Sequence, residues 1–188
     1  IRQEIDASFL SGGGRVLKPD WFPIVSKAPS VDAGNVFITV DLAGFRKQEG
    51  KKLLRTDESV IAEVLVIEDE WYILNIQHGH WDVRETALRI ARTLRNYNSA
   101  RLGVEQGALK EAVGPYLEEY MREFHRYVTP EALRHGGQKK ADRITWALQG
   151  RAERKRIRLV RGDWNDHFLT QCSDFPDPLA HDDVLDAV

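Results

Sequence analysis

Three acidic positions fall where carboxylates can act together. Asp41 closes the β-rich run Val36-Phe37-Ile38-Thr39-Val40, and Glu105 closes the run Arg101-Leu102-Gly103-Val104. Asp182 and Asp183 open a terminal helical stretch, with Asp186 one turn further along. In open α/β sheets, sites form beyond the carboxyl ends of the strands, which is where Asp41 and Glu105 would meet. Carboxylates gathered at one point repel each other unless a cation neutralises them. Hard oxygen donors of this kind select Mg²⁺ or Mn²⁺. Two such ions, about 3.5–4 Å apart, can activate a water and stabilise the leaving oxygen of a phosphodiester. Each acid also has an ordinary structural reading. Asp41 can be a turn former, Glu105 an arginine partner, and Asp182 or Asp183 a helix N-cap. It is their joint placement on strand ends and a terminal helix that points to a metal site.

The elements that must position these acids follow from the hydrophobic pattern. Residues 36–40 form a first strand, broken at Gly44, and the polar stretch 45–59 is a loop. Val60 to Ile67 and Trp71 to Ile76 form a hairpin about Glu68-Asp69-Glu70, the first of its strands apolar enough to be buried on both faces. Asp82 is an N-cap, with Glu85 three residues on, for a helix to about Tyr97. Residues 101–105 are a fourth strand, and 108–125 a helix that contains Pro115. Residues 126–137 read as a loop, 139–151 as a third helix, 156–160 as a fifth strand, 164–172 as a short helix, and a last helix begins near His181 or Asp182. Trp71, Trp146 and Trp164 fall at periodic apolar positions and read as core, while His78 and His80 flank Gly79 and read as turn histidines. This order predicts an α/β mixed sheet of five strands or more, with helices on both faces. Right-handed crossovers place the first and fourth strands side by side.

Charge is distributed unevenly along the chain. The 188 residues carry a formal charge of −2. Residues 138–161 nevertheless hold nine Lys or Arg against two acids, and 163–188 hold seven Asp with no Lys or Arg. A basic stretch feeding an acidic one suits a protein that holds a polyanion beside a cation site; two solvated surfaces of opposite sign are the plainer reading. Lys139, Lys140 and Arg143 open the third helix, and Arg154, Lys155, Arg156 and Arg158 surround the fifth strand. These seven are the candidate phosphate contacts, of the type that positions a duplex without reading its sequence. A single cysteine, Cys172, excludes an intramolecular disulfide and a Cys-based zinc site. No apolar run approaches the roughly 20 residues that span a bilayer, so no membrane partner is expected. Ser11-Gly12-Gly13-Gly14 lacks the Walker spacing and reads as a linker. Residues 1–35 are accordingly a lead-in and 36–188 the domain. The chain opens without Met and ends in helical pattern, as an excised piece of something longer would.

Three segments together resemble the nuclease domain of tailed-bacteriophage terminase large subunits. They are the first strand with Asp41, the Arg101–Glu105 run, and His181-Asp182-Asp183-Val184-Leu185-Asp186-Ala187. The opening 2–9 is similar to the segment by which that family leaves its ATPase domain. The resemblance covers nearly the whole chain, and the terminal His-Asp-Asp-x-x-Asp-Ala signature is its most specific part. It implies an RNase H-like fold and a metal-dependent endonuclease that cuts concatemeric double-stranded viral DNA during packaging. It implies that Asp41, Glu105, Asp182 and Asp183 hold two Mg²⁺ or Mn²⁺ ions, with His181 and Asp186 supporting them. The partners implied are double-stranded DNA, an ATPase domain on the same chain, a small terminase subunit and a portal, in the host-cell cytoplasm. No ATPase motif is present in this chain. The rival readings are another RNase H-like activity (resolvase, transposase or RNA–DNA hybrid hydrolase), a non-catalytic DNA-binding module, and a domain that docks on a portal or partner subunit.

Overall fold

The central element of the fold is a strand with almost no solvent contact. In the computed structural model, which describes residues 16–42, 58–105, 108–133, 137–177 and 179–188, β3 (Ser59–Ile67) is buried from Ser59 through Leu65. Its run of Val, Ile and Ala suits a strand covered on both faces. The other strands are β1 (Ile24–Val25), β2 (Asn35–Asp41), β4 (Glu70–Gly79), β5 (Arg101–Glu105), β6 (Glu131–Leu133) and β7 (Ile157–Val160). The sheet is mixed and seven-stranded, in the order β1-β7-β4-β3-β2-β5-β6. The expected hairpin is present as the antiparallel β3–β4 pair, with Glu68 at φ 52° in the turn. The expected parallel pairing of the Asp41 strand with the Glu105 strand is β2–β5.

Five helices cover the two faces: α1 (Val83–Arg95), α2 (Ala108–Glu123), α3 (Lys140–Glu153), α4 (Asn165–Asp174) and α5 (Asp183–Ala187). Asp82 caps α1 by accepting the Glu85 backbone N–H at 2.7 Å. Because side chains alternate along a strand, β3 feeds both cores. Ile61 joins Ile38, Val40, Leu102 and Val104 beneath Ile90 and Leu94 of α1 and Leu117 of α2. Val60 and Ala62 face Ile144 and Leu148 of α3, Phe168 and Cys172 of α4, and Val184 and Leu185 of α5. A buried carboxylate on β3, Glu63, accepts hydrogen bonds from Asn75 at 2.8 Å and from the Tyr97 hydroxyl. Burial and that bond to Glu63 push the Tyr97 phenol well above its ordinary range.

Four sequence expectations change. The sheet gains two edge strands. Ile24 and Val25 pair in parallel with Leu159 and Val160, and Leu17 and Phe22 are core residues, so part of the presumed lead-in is structural. Residues 131–133, expected in a loop, pair with 103–105. Both strands are two or three residues long, too short to show a period of two. Trp146 is 64% exposed, because the inner face of α3 is set by Ile144, Leu148 and Ala152. The glycine break at 11–14, the opening segment 2–9, residues 45–57 of the expected loop and Gly136 lie outside the described residues.

Candidate active site

The acids meet at one end of the sheet. Asp41 is the last residue of β2, opposite Val60 of β3, and the parallel register Val40↔Val104 brings Glu105 to the adjoining strand end. Helix α5 packs over β2 and β3. Its C-terminal end is fixed by the Thr39 hydroxyl, which donates to the Ala187 carbonyl. At its other end the Glu58 backbone N–H donates to Asp183 Oδ2 at 3.4 Å. Helix α5 thus lies along the strands with Asp182 and Asp183 toward the Asp41 end. Asp183 is 6% exposed, and Asp182 is its N-cap residue.

One cation is already held among these carboxylates. Lys140 Nζ is 2.7 Å from Asp182 Oδ1, 2.9 Å from Asp183 Oδ1 and 3.8 Å from Asp186 Oδ2. Burial pulls the Lys140 ammonium down, but its hydrogen bonds to Asp182 and Asp183 outweigh that and hold it above the ordinary lysine range. Arg143 makes a two-pronged contact with Asp186, 2.8 Å to each oxygen. His181 Nδ1 is 3.7 Å from Asp183 Oδ2. Asp186 is therefore tied to a guanidinium, while Asp182 and Asp183 share an ammonium.

The seven basic candidates separate. Lys139 is exposed at the N-terminus of α3, beside Lys140 and Arg143 at the acid cluster. Arg154, Lys155, Arg156 and Arg158 follow the far end of α3, a helix of 14 residues and so about 21 Å long. They adjoin the start of β7, which pairs with the start of β4 at Trp71, away from the Gly79 end that meets Ser59. There Arg156 pairs with Asp69 and Arg158 with Glu70, at the hairpin turn. Arg154 and Lys155 are exposed. The charge run is continuous in sequence, but the helix spreads it over two ends of the domain.

Sequence reasoning missed a second group near Asp183. Glu58, just before β3, His78 of β4 and His167 of α4 converge, with one ligand atom from each within 4.8 Å of the others. His78, expected as a turn histidine, lies within β4, which runs on to Gly79, and nothing in sequence pairs it with position 167.

A mixed sheet with the β2 and β5 strand ends side by side and a terminal acidic helix over β2 and β3 has the RNase H-like architecture. A family model described as a terminase RNase H-like domain matches residues 54–188, and the chain belongs to that family. The human cytomegalovirus terminase nuclease domain, in an Mn-soaked and inhibitor-bound form, shares the fold at TM-score 0.61 and 12% identity, over 88% of this chain and 86% of that one. The large terminase nuclease of thermophilic phage G20c gives 0.57 and 12%, over 92% and 94%. The P22 large terminase nuclease domain gives 0.57 and 14%, over 94% and 89%. The large terminase of bacteriophage D6E is matched over 84% of this chain but 36% of its own length, at TM-score 0.55 and 10% identity. At these identities the likeness is one of fold. Comparison with curated protein sequences gives no match.

Proposed function

We propose that this domain is a metal-dependent endonuclease that cuts concatemeric double-stranded viral DNA during packaging. The observation that carries the reading is the convergence of Asp41, the Glu105 strand end, Asp182 and Asp183 at one end of an RNase H-like sheet. The donor set fits hard divalent ions. It is made of carboxylate oxygens, and the pairing of Asp182 and Asp183 with Lys140 supports a need for positive charge at this cluster. Asp41, Glu105, Asp182 and Asp183 would hold two Mg²⁺ or Mn²⁺ ions. When bound, such ions supply Lewis-acid stabilisation to a phosphodiester and lower the pKa of a water.

The chain's own residues do the positioning. The Glu58 N–H fixes the Asp183 carboxylate, and the Thr39–Ala187 bond anchors α5 so that its acids stay over the β2 end. Lys140 and Arg143 balance carboxylates that would otherwise repel one another. His181 Nδ1 lies beside Asp183 at the edge of the cluster. The partners that follow are an ATPase domain on the same chain, in line with the longer D6E large terminase, a small terminase subunit and a portal. The setting is the host-cell cytoplasm.

Supercoiled plasmid incubated with the chain tests this. Nicking and linearisation should occur with Mn²⁺ or Mg²⁺ and stop when EDTA removes the ion. A folded chain that binds DNA but does not cleave it with any divalent ion would sink the endonuclease reading in favour of a binding module. Preference for a four-way junction or an RNA–DNA hybrid over linear duplex would favour the other RNase H-like activities.

The split of the basic residues gives a second test. Lys139→Gln should lower the slope of log K against log salt by about 1, the loss of one phosphate contact. Arg156→Gln should leave the slope unchanged, because Asp69 already neutralises Arg156. Fluorescence anisotropy with a labelled duplex over a salt series reads both, and equal slopes for the two variants would contradict this placement of DNA.

A further inference from the structure

Glu58, His78 and His167 have a donor chemistry unlike the acid cluster beside them. Glu58 Oε2 is 2.8 Å from His78 Nδ1 and 3.8 Å from His167 Nε2. Ligands held at about 2.0–2.1 Å by a tetrahedral ion lie about 3.4 Å apart, so these separations bracket what one ion requires. The three side chains come from separate elements. Glu58 precedes β3, His78 is paired to it through the Val60↔His78 register, and His167 lies in the first turn of α4.

The protonation of His167 follows from its neighbour. Gln171 Oε1 accepts the Val184 backbone N–H at 3.0 Å, which fixes the amide orientation. Its NH₂ group therefore donates to His167 Nε2 at 3.1 Å, so Nε2 is the unprotonated nitrogen of that ring, and an ion would take its lone pair in place of this hydrogen bond.

We propose that Glu58, His78 and His167 form a binding site for a divalent transition metal of the Zn²⁺ class, distinct from the Asp41 cluster. Two imidazoles and one carboxylate are borderline donors that suit Zn²⁺ and disfavour Mg²⁺. The two rings are stacked, with centroids 4.1 Å apart and planes 4° from parallel. One ring must turn for both nitrogens to face a common ion, and His167, 38% exposed, is the one that would turn, giving up its hydrogen bond to Gln171. The Glu58 backbone also holds Asp183, so an ion here would brace the strand end on which the acid cluster rests. The site does not depend on the nuclease reading.

The test is isothermal titration with Zn²⁺ in the whole chain, with Co²⁺ as a visible-absorption probe, in an Asp41→Asn, Asp182→Asn background that weakens the acid cluster. One equivalent of Zn²⁺ should bind in the presence of excess Mg²⁺, and Co²⁺ should show the absorption of a low-coordinate, nitrogen-ligated ion. Affinity should fall at least about tenfold in His167→Ala and in Glu58→Gln, with circular dichroism verifying that both fold. His167→Gln, which keeps the contact size, provides a second probe should the alanine variant unfold. Unchanged Zn²⁺ affinity in the His167 and Glu58 variants, or no Zn²⁺ binding in the Asp41→Asn, Asp182→Asn background, would overturn the site. Plasmid cleavage is read separately, so failure of the nuclease reading leaves this result standing and the converse also holds.

Discussion

Asp41→Asn is expected to lower the rate of plasmid cleavage by a factor of about 10³ or more while leaving the thermal midpoint close to that of the parent chain. The argument begins with register. Asp41 ends β2, the strand that lies between β3 and β5, and so stands between the Glu105 strand end and the β3 end against which Asp183 is held. A carboxylate between two others would contribute most to holding divalent ions there, and losing its charge would weaken that hold. An amide has the same shape but one poorer and neutral oxygen, so packing at the strand end is kept. Loss of one preorganised electrostatic group in a site of this kind costs about 10²–10³ in rate, and loss of bound ions adds to it. Gel quantification of nicked and linear products, beside anisotropy for DNA affinity, separates chemistry from binding. Cleavage that survives in Asp41→Asn would mean that the reacting phosphate lies elsewhere.

The acids were legible because each stands at a boundary that sequence marks well, the end of an apolar run or the start of a helical one. The β2–β5 adjacency followed from the handedness of crossovers, and the hairpin from two β-rich runs about an acidic turn. What was not legible depended on contacts between distant segments. Ile24–Val25 and Glu131–Leu133 are strands only because β7 and β5 offer them open edges. Trp146 has helical spacing, but which face of α3 turns inward is decided by Ile144 and Leu148 meeting α4 and α5. The basic run suggested a single phosphate surface, yet Arg156 and Arg158 are paired at the hairpin and Lys140 and Arg143 with α5. His78 and His167 are 89 positions apart in the sequence, and only the packing of α4 against the strand end brings them together.

Lys140→Met should destabilise the chain in the absence of divalent ions, and Mn²⁺ or Mg²⁺ should restore most of the loss. Methionine keeps the length and the apolar stem while removing the ammonium that Asp182 and Asp183 share. Arg143 remains on Asp186, so the uncompensated charge falls on the other two acids, one of them buried. Removing one partner of a fully buried pair costs about 3–5 kcal/mol. Here Lys140 is 35% exposed and Asp182 30%, and solvent screening reduces the expectation to about 1–3 kcal/mol. For a domain of this size that is a fall of about 3–10 °C in Tm. The sign with pH follows from the raised pKa of Lys140. Its contribution is fully present below the ordinary lysine pKa of about 10.4 and is lost only as pH rises through the higher folded value. The deficit of the variant should therefore be flat between about pH 6 and pH 9. Divalent ions bind folded carboxylates and stabilise by mass action, about 2.7 kcal/mol at a hundredfold excess over Kd. The ammonium competes with them for Asp182 and Asp183, so the ion-induced rise in Tm should be larger in Lys140→Met than in the parent. Differential scanning calorimetry with and without Mn²⁺ decides the matter. A variant as stable as the parent without ions, or one that Mn²⁺ does not rescue, would mean that Lys140 does not neutralise these acids in solution.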